Sequence, residues 1–296
     1  MATLNYAEQY QKALANAYPN VLHFAALRST ENDSRYKWVD GSTIKIPTLT
    51  TTGRTDADRD SIGERKRNYD NAWEVKTLRN HRDWSTLVHP MDIDETNQVA
   101  SITNITRTFN ETQKFPEMDA YLISTLLADW KAAGGVEDNT VLTAENILTT
   151  FDAWMSAMDE ENVPVDGRIL YATPTTRDLI KNADRIQRQM MVGNQNLDRR
   201  VRSLDEVTIE MVPAKLMKSV YDFTLGFKPG VGAKQINMVL VHPSAVITPE
   251  KYAFSKLDPP SAGSKGKYEY YEESYDDTFL LNQRKGGVMF NVEAGE

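Results

Sequence analysis

The chain has 296 residues, 40% hydrophobic and 26% charged, with a formal net charge of −8 and a pI near 5.2. That length supports one large or two medium domains, and the composition excludes wholesale disorder. The acidic balance excludes a surface that recruits nucleic acid as a whole, and the lack of cysteine excludes disulfides and thiolate metal sites. No run of about 18 apolar residues is long enough to span a membrane. The N-terminal "MATLNYAEQYQKALANAY" lacks the basic-then-apolar order of a signal peptide, so a soluble intracellular product is expected.

Residues 4 to 18 place Ala7, Tyr10, Leu14 and Tyr18 on one side of a short amphipathic packing helix. In "KWVDGSTIKIPTLTT", Trp38, Ile44 and Ile46 alternate with polar residues, and in "AWEVKTL", Trp73 and Val75 do the same; both read as strands. Between them lies "GRTDADRDSIGERKRNYDN", residues 53 to 71, of which ten of nineteen are charged. Connections between paired strands are usually two to five residues, so an arm of this length calls for a purpose.

Residues 72 to 109 read as mostly strand and irregular chain, with His89 pushed away from helix by Pro90. The clearest element is "PEMDAYLISTLLADWKAAGG". Pro116 suits a first helical position, Glu117 and Asp119 sit where the helix dipole favours anions, and Gly134-Gly135 ends it. Met118, Leu122, Ile123, Leu126, Leu127 and Trp130 form its apolar face, and a helix over 116–133 is roughly 27 Å long. A second helix starts at the N-cap Thr143 and buries Ile147, Phe151, Trp154, Met155 and Met158.

"VPVDGRILYATP" gives a strand from Ile169 to Ala172, and Thr173-Pro174 opens a helix through about Met190. "DEVTIEMVP" and "QINMVLVHP" are short strands stopped by proline, so residues 167–250 have the pattern of a compact α/β subdomain. "DPPSAGSKG" (258–266) is the most linker-like composition in the chain. The remaining "KYEYYEESYDDTFLLNQRKGGVMFNVE" reads as a long strand, a Gly286-Gly287 turn and a closing strand.

Catalytic constellations are scarce. His23, His81, His89 and His242 lack the spacing of a zinc-binding helix and read as structural or surface residues. "GFKPGVGAK" (226–234) departs from the phosphate-loop spacing, and Gln235 follows its lysine where a hydroxyl should bind magnesium; a flexible loop is expected. The acidic clusters Asp92/Asp94/Glu95, Glu272/Glu273 and Asp276/Asp277 sit in polar strings and read as solvated faces. Met190 and Met191 read as core filler. No nucleophile elbow, cofactor motif or metal set is found, so no catalytic residue is assigned and an enzyme is disfavoured.

With the elements in this order, the chain resembles a tailed-bacteriophage major capsid protein of the Hong Kong 97 type. "VDGSTIKIP" is similar to the strand entering the family's extended loop, and "AWEVKTLRNHRDWSTLVHPMDIDETN" to the return strand. "FPEMDAYLISTLLADW" resembles the start of the spine helix, "GRILYATPTTRDLIKN" the strand–helix pair of the axial domain, and "YYEESYDDTFLLNQRKGGVMFN" the closing strands of the peripheral domain.

The resemblance implies an α+β subunit with an N-terminal arm (1–36), an extended hairpin loop (37–82), a peripheral domain (83–160 and 263–296) with the spine helix at 116–133, and an axial domain (161–262). It implies self-assembly into hexamers and pentamers of an icosahedral shell, a virion location, and assembly in the host bacterial cytoplasm. The partners it implies are copies of the same chain, a portal and non-specifically packaged DNA; no cofactor and no membrane are expected. About 35 residues precede the first matched strand, fewer than the scaffolding segment some members carry, so a separate scaffolding protein is expected. On this reading Arg54, Asp56, Arg59, Asp60, Glu64, Arg65, Lys66 and Arg67 contact a neighbouring copy, their mixed signs setting register. Lys66 lies in the loop that supplies a cross-linking lysine in some members, but nothing else of that apparatus matches. An encapsulin-like compartment shell and a cytoplasmic α/β enzyme are the alternatives.

Overall fold

The computed structural model describes residues 20–28, 34–54, 56, 67–95, 101–183 and 203–294. The helix expected over 4–18 and the methionines at 190 and 191 lie outside them.

The molecule is organised around a five-stranded sheet. Its strands run in the spatial order Val288–Val292, Ile236–Val241, Ile169–Ala172, Val207–Met211 and Ser203–Leu204. Only the pair 169–172 with 207–211 is parallel; the other neighbours are antiparallel. Because successive side chains point to opposite faces, Val239, Val241 and Tyr171 face one way, and Met238, Leu240, Leu170 and Ala172 the other. The first set packs on Leu122, Ile123, Leu126 and Leu127 of the helix Phe115–Ala132. The second packs on Ile147, Phe151, Trp154 and Met158 of the helix Ile147–Glu160 and on Ile180 of the helix Pro174–Asn182. Both faces are therefore covered, which is why these strands read as nearly continuous apolar runs.

The spine helix matches its sequence signals to within a residue at each end. Its C-terminus closes as expected at Gly134-Gly135, where Gly134 N–H reaches Lys131 O and Gly135 N–H reaches Trp130 O, both at 2.9 Å. The second helix begins with reciprocal bonds between Thr143 and Asn146, and regular turns count from Ile147.

Three expectations need correction. Residues 102–109 are helical rather than strand or irregular, and they join the spine helix through a π turn at Asn110–Lys114. The helical run from Ile102 to Ala132 is thus about 46 Å long. Pro90–Glu95 is also a short helix, with Pro90 opening it and His89 outside it. The helix from Pro174 ends at Asn182, where Ala183 turns to extended backbone; the rest of its expected span, to Met190, lies outside the described residues.

A second, outer sheet has the order Glu250–Asp258, Tyr268–Asp276, Asn80–Val88, all antiparallel. Its inner face meets the N-terminal half of the helical run: Trp84 stacks on Phe109 with centroids 3.9 Å apart, and Arg82 bonds Glu117 at 2.7 Å. Strands 250–258 and 80–88 are the two edges of this sheet among the described residues. The linker-like segment 258–266 is the turn of the hairpin between 250–258 and 268–276, so the expected division at 262/263 falls within one sheet. The closing strand 288–292, grouped by sequence with the peripheral domain, hydrogen-bonds to 236–241 in the five-stranded sheet.

Candidate inter-subunit surface

From this body projects a hairpin. Strand Thr43–Thr51 pairs with Tyr69–Thr77 over nine registered positions, from Thr43 opposite Thr77 to Thr51 opposite Tyr69. The ladder continues with Thr52 N–H to Asn68 O at 3.0 Å. Ile44 and Ile46 anchor the base, where they are buried with Tyr36, Leu78, Ile247 and Phe279.

Register decides what the shaft displays. Ile44 and Ile46 lie opposite Lys76 and Glu74, which pair with each other at 2.9 Å. Trp73 and Val75 lie opposite Pro47 and Lys45, on the other face. The two apolar sets read from the sequence therefore point in opposite directions. Only the first enters the core; Leu49, Tyr69, Trp73 and Val75 are each at least half exposed. Apolar side chains gathered along one face of a projecting ribbon mark a contact surface. The local signal that could have found it was the phase: pairing 44 with 76 fixes Trp73 on the outer face.

Of the charged residues proposed from sequence, Arg54 and Asp56 are exposed beside the end of the shaft. Arg67 is engaged within its own loop: it donates to Tyr69 O at 3.0 Å, lies 3.6 Å from Asp70, and covers the Tyr69 ring at 4.9 Å. Arg59, Asp60, Glu64, Arg65 and Lys66 lie outside the described residues.

The acidic clusters are not uniformly solvated. Asp277 is buried and accepts from Arg79 N–H at 2.8 Å, Tyr121 O–H at 2.8 Å and Thr278 N–H at 2.7 Å. Burial, reinforced by this carboxylate, pushes the Tyr121 phenol above its ordinary range. Glu272 is buried and pairs with Lys114 at 3.1 Å. These acids fasten the outer sheet to the spine helix. A cleft of about 960 Å³ between those elements is lined by Trp84, Phe109, Tyr270 and these ion pairs. Among the described residues no group of three or more histidines and carboxylates is arranged to hold a metal. No described helix is long and apolar enough to cross a membrane.

No protein-family model matches the chain, and no curated protein matches its sequence. Solved structures do. The mature capsid of bacteriophage PhiM1 is similar at TM-score 0.69 and 12% identity, over 98% of this chain and 92% of that one. A Mycobacterium phage Che8 structure is similar at TM-score 0.65 and 14% identity, over 98% of both chains. The capsid of Ralstonia phage GP4 is similar at TM-score 0.62 and 9% identity, over 98% and 95%. The chain has the Hong Kong 97-type fold of tailed-phage capsids.

Proposed function

We propose that the chain is the major capsid protein of a tailed bacteriophage, assembling into hexamers and pentamers of a shell around double-stranded DNA. The observation that carries this reading is a likeness running end to end along both chains, joined to a hairpin whose apolar outer face is exposed among the described residues. A subunit of this kind works by burying surface against its copies, and needs no catalytic centre. On this reading the spine helix and outer sheet form the peripheral unit, the five-stranded sheet and its two helices form the axial unit, and residues 1–36 are an arm. The charged residues Arg54 to Arg67 set the register of the hairpin tip on a neighbour, with a separate scaffolding protein guiding closure. The virion is its site of action, and the host cytoplasm its site of assembly.

Electron microscopy and sedimentation of the purified chain, alone and with any scaffolding protein encoded beside it, test the reading. Closed shells of uniform diameter are the expected result. A small oligomer under every assembly condition overturns it.

A further inference from the structure

Among the described residues, two of the strands at sheet ends stand out, and they are unlike each other. Strand 250–258 is one edge of the outer sheet, with strand 80–88 the other, and strand 69–77 is an edge of the hairpin; each of these two has nine residues and no proline. Open edges present unpaired N–H and C=O groups, and natural proteins shorten, bend or cover them. Here 250–258 has one register shift near its start, between Glu250 and Tyr252, and is regular from there to Asp258. It also exposes Tyr252, Phe254 and Leu257. A long edge with apolar side chains beside it is built to be covered.

Resting on the shell reading above, we infer that strand 69–77 of one copy adds antiparallel to strand 250–258 of the next, with Ala72 opposite Ala253. That register sets Trp73 beside Tyr252 and Tyr69 beside Lys256, an aromatic pair and a cation–aromatic pair of the kind that stabilise adjacent strands. It also sets Arg67 beside Asp258. Both are at least half exposed and held by near neighbours in sequence, Arg67 by Tyr69 O at 3.0 Å and Asp70 at 3.6 Å and Asp258 by Lys256 at 2.8 Å, so each can exchange its ion partner. A shift of two residues places Tyr69 against Asp258 and Lys76 against Lys251, replacing attraction with like-charge repulsion. The contact joins two different surfaces, so it is head-to-tail. Repeated with a rotation that closes, it makes a ring, whereas a self-complementary edge would stop at a dimer.

The chain contains no cysteine, so introduced thiols report without background. The test pair is Ala72→Cys with Ala253→Cys in the full chain, assembled, oxidised and run on a non-reducing gel; Ala72→Cys with Ser255→Cys is the register control. A ladder of covalent multimers from the test pair, with junction peptides linking positions 72 and 253, is expected. Particles that give no ladder, or a ladder only from the control pair, overturn the inference while leaving the shell reading intact. If the variants do not assemble, amide exchange of the unaltered chain decides. Amides of residues 252–257 should exchange at least about tenfold more slowly in particles than in free subunits, and equal rates overturn the inference. Failure of the unaltered chain to form particles removes the shell reading and this one with it.

Discussion

The carboxylate of Asp119, fully buried in the spine helix, accepts the backbone N–H of His23 at 2.9 Å and that of Phe24 at 3.3 Å. Those bonds tie the segment before the hairpin to the spine. Phe24 then packs against Tyr171 with centroids 4.6 Å apart, and Arg28 reaches Asp276 at 3.7 Å. One short strap therefore touches the spine helix, the five-stranded sheet and the outer sheet.

Burial raises the Asp119 carboxyl from 3.8 to about 6, against the opposing pull of the two N–H bonds and Arg28. Its folded value lies above its unfolded one, so its stability contribution is fullest in acid and is lost as pH rises through 6. Across pH 4 to 7 that amounts to about 3 kcal/mol at most. Asp129 and Asp276, also raised by burial, act in the same direction. His23 is lowered by burial and acts oppositely as pH falls below 6.5. Comparing Asp119→Asn with the unaltered chain isolates the first effect. Urea midpoints at pH 4.5 and 7 should differ less in the variant; equal differences in the two proteins refute the assignment.

Elements whose cause is local were legible in the sequence. Pro116 and Gly134-Gly135 mark the spine helix because caps and breakers act within a turn of their own position. The helix over 102–114 was hidden by residues that favour other structures, Thr103, Thr106, Thr108 and Thr112 with Asn104 and Asn110. In the fold, Thr106 and Thr112 turn their hydroxyls back onto the carbonyls of Ile102 and Thr108, at 2.9 and 2.6 Å, and the stacking of Phe109 on Trp84 compensates for weak propensity. The buried Asp277 was illegible for another reason: its partners Arg79 and Tyr121 are distant in sequence, and a polar string gives no hint of them. The outward face of the hairpin needed only the register, which no single strand contains.

Trp73→Ser with Val75→Ser tests that face. Both side chains are exposed in the subunit, so stability should change by no more than about 0.5 kcal/mol. Assembly should nevertheless fail or slow severely, as followed by light scattering and microscopy. Ile44→Ala, at the fully buried base, should do the reverse, lowering subunit stability by about 2–5 kcal/mol before assembly is considered. Normal shells from the double variant would remove the shaft from the interface.

Arg168 is a buried cation fixed by Asp159 at 2.6 Å, Val163 O at 2.6 Å and Pro164 O at 2.9 Å. It pins the turn between the helix 147–160 and the strand 169–172. Arg168→Leu should lower stability by about 3–5 kcal/mol, because those carbonyls lose their donors and the turn loses its clamp. Arg168→Lys should recover only part of the loss, since an ammonium cannot reproduce the planar fork. Denaturant midpoints of the two variants check the order; full recovery in Arg168→Lys would assign the effect to charge alone, and an equal loss in both to the guanidinium geometry alone.

The two glycines that end the spine helix should respond differently to alanine. Gly134 has φ of +87°, a conformation strained for any side chain, but a Cβ there meets only Lys285 Nζ at 3.9 Å. Gly134→Ala should therefore lower stability by about 1 kcal/mol, the ordinary penalty of a left-handed residue. At Gly135 a Cβ would fall 2.3 Å from Cδ2 and Cε2 of Trp130. That ring is itself buried, 5.3 Å from the ring of Phe290 on the closing strand, and cannot retreat without opening the core. Gly135→Ala should lower stability by about 3 kcal/mol, the upper range for overpacking, and shift the tryptophan emission as the indole is displaced. Chemical denaturation followed by fluorescence reads both. A loss at Gly135 no larger than at Gly134 would mean that the helix end relaxes away from the ring, and that close packing against Trp130 is not what fixes the glycine.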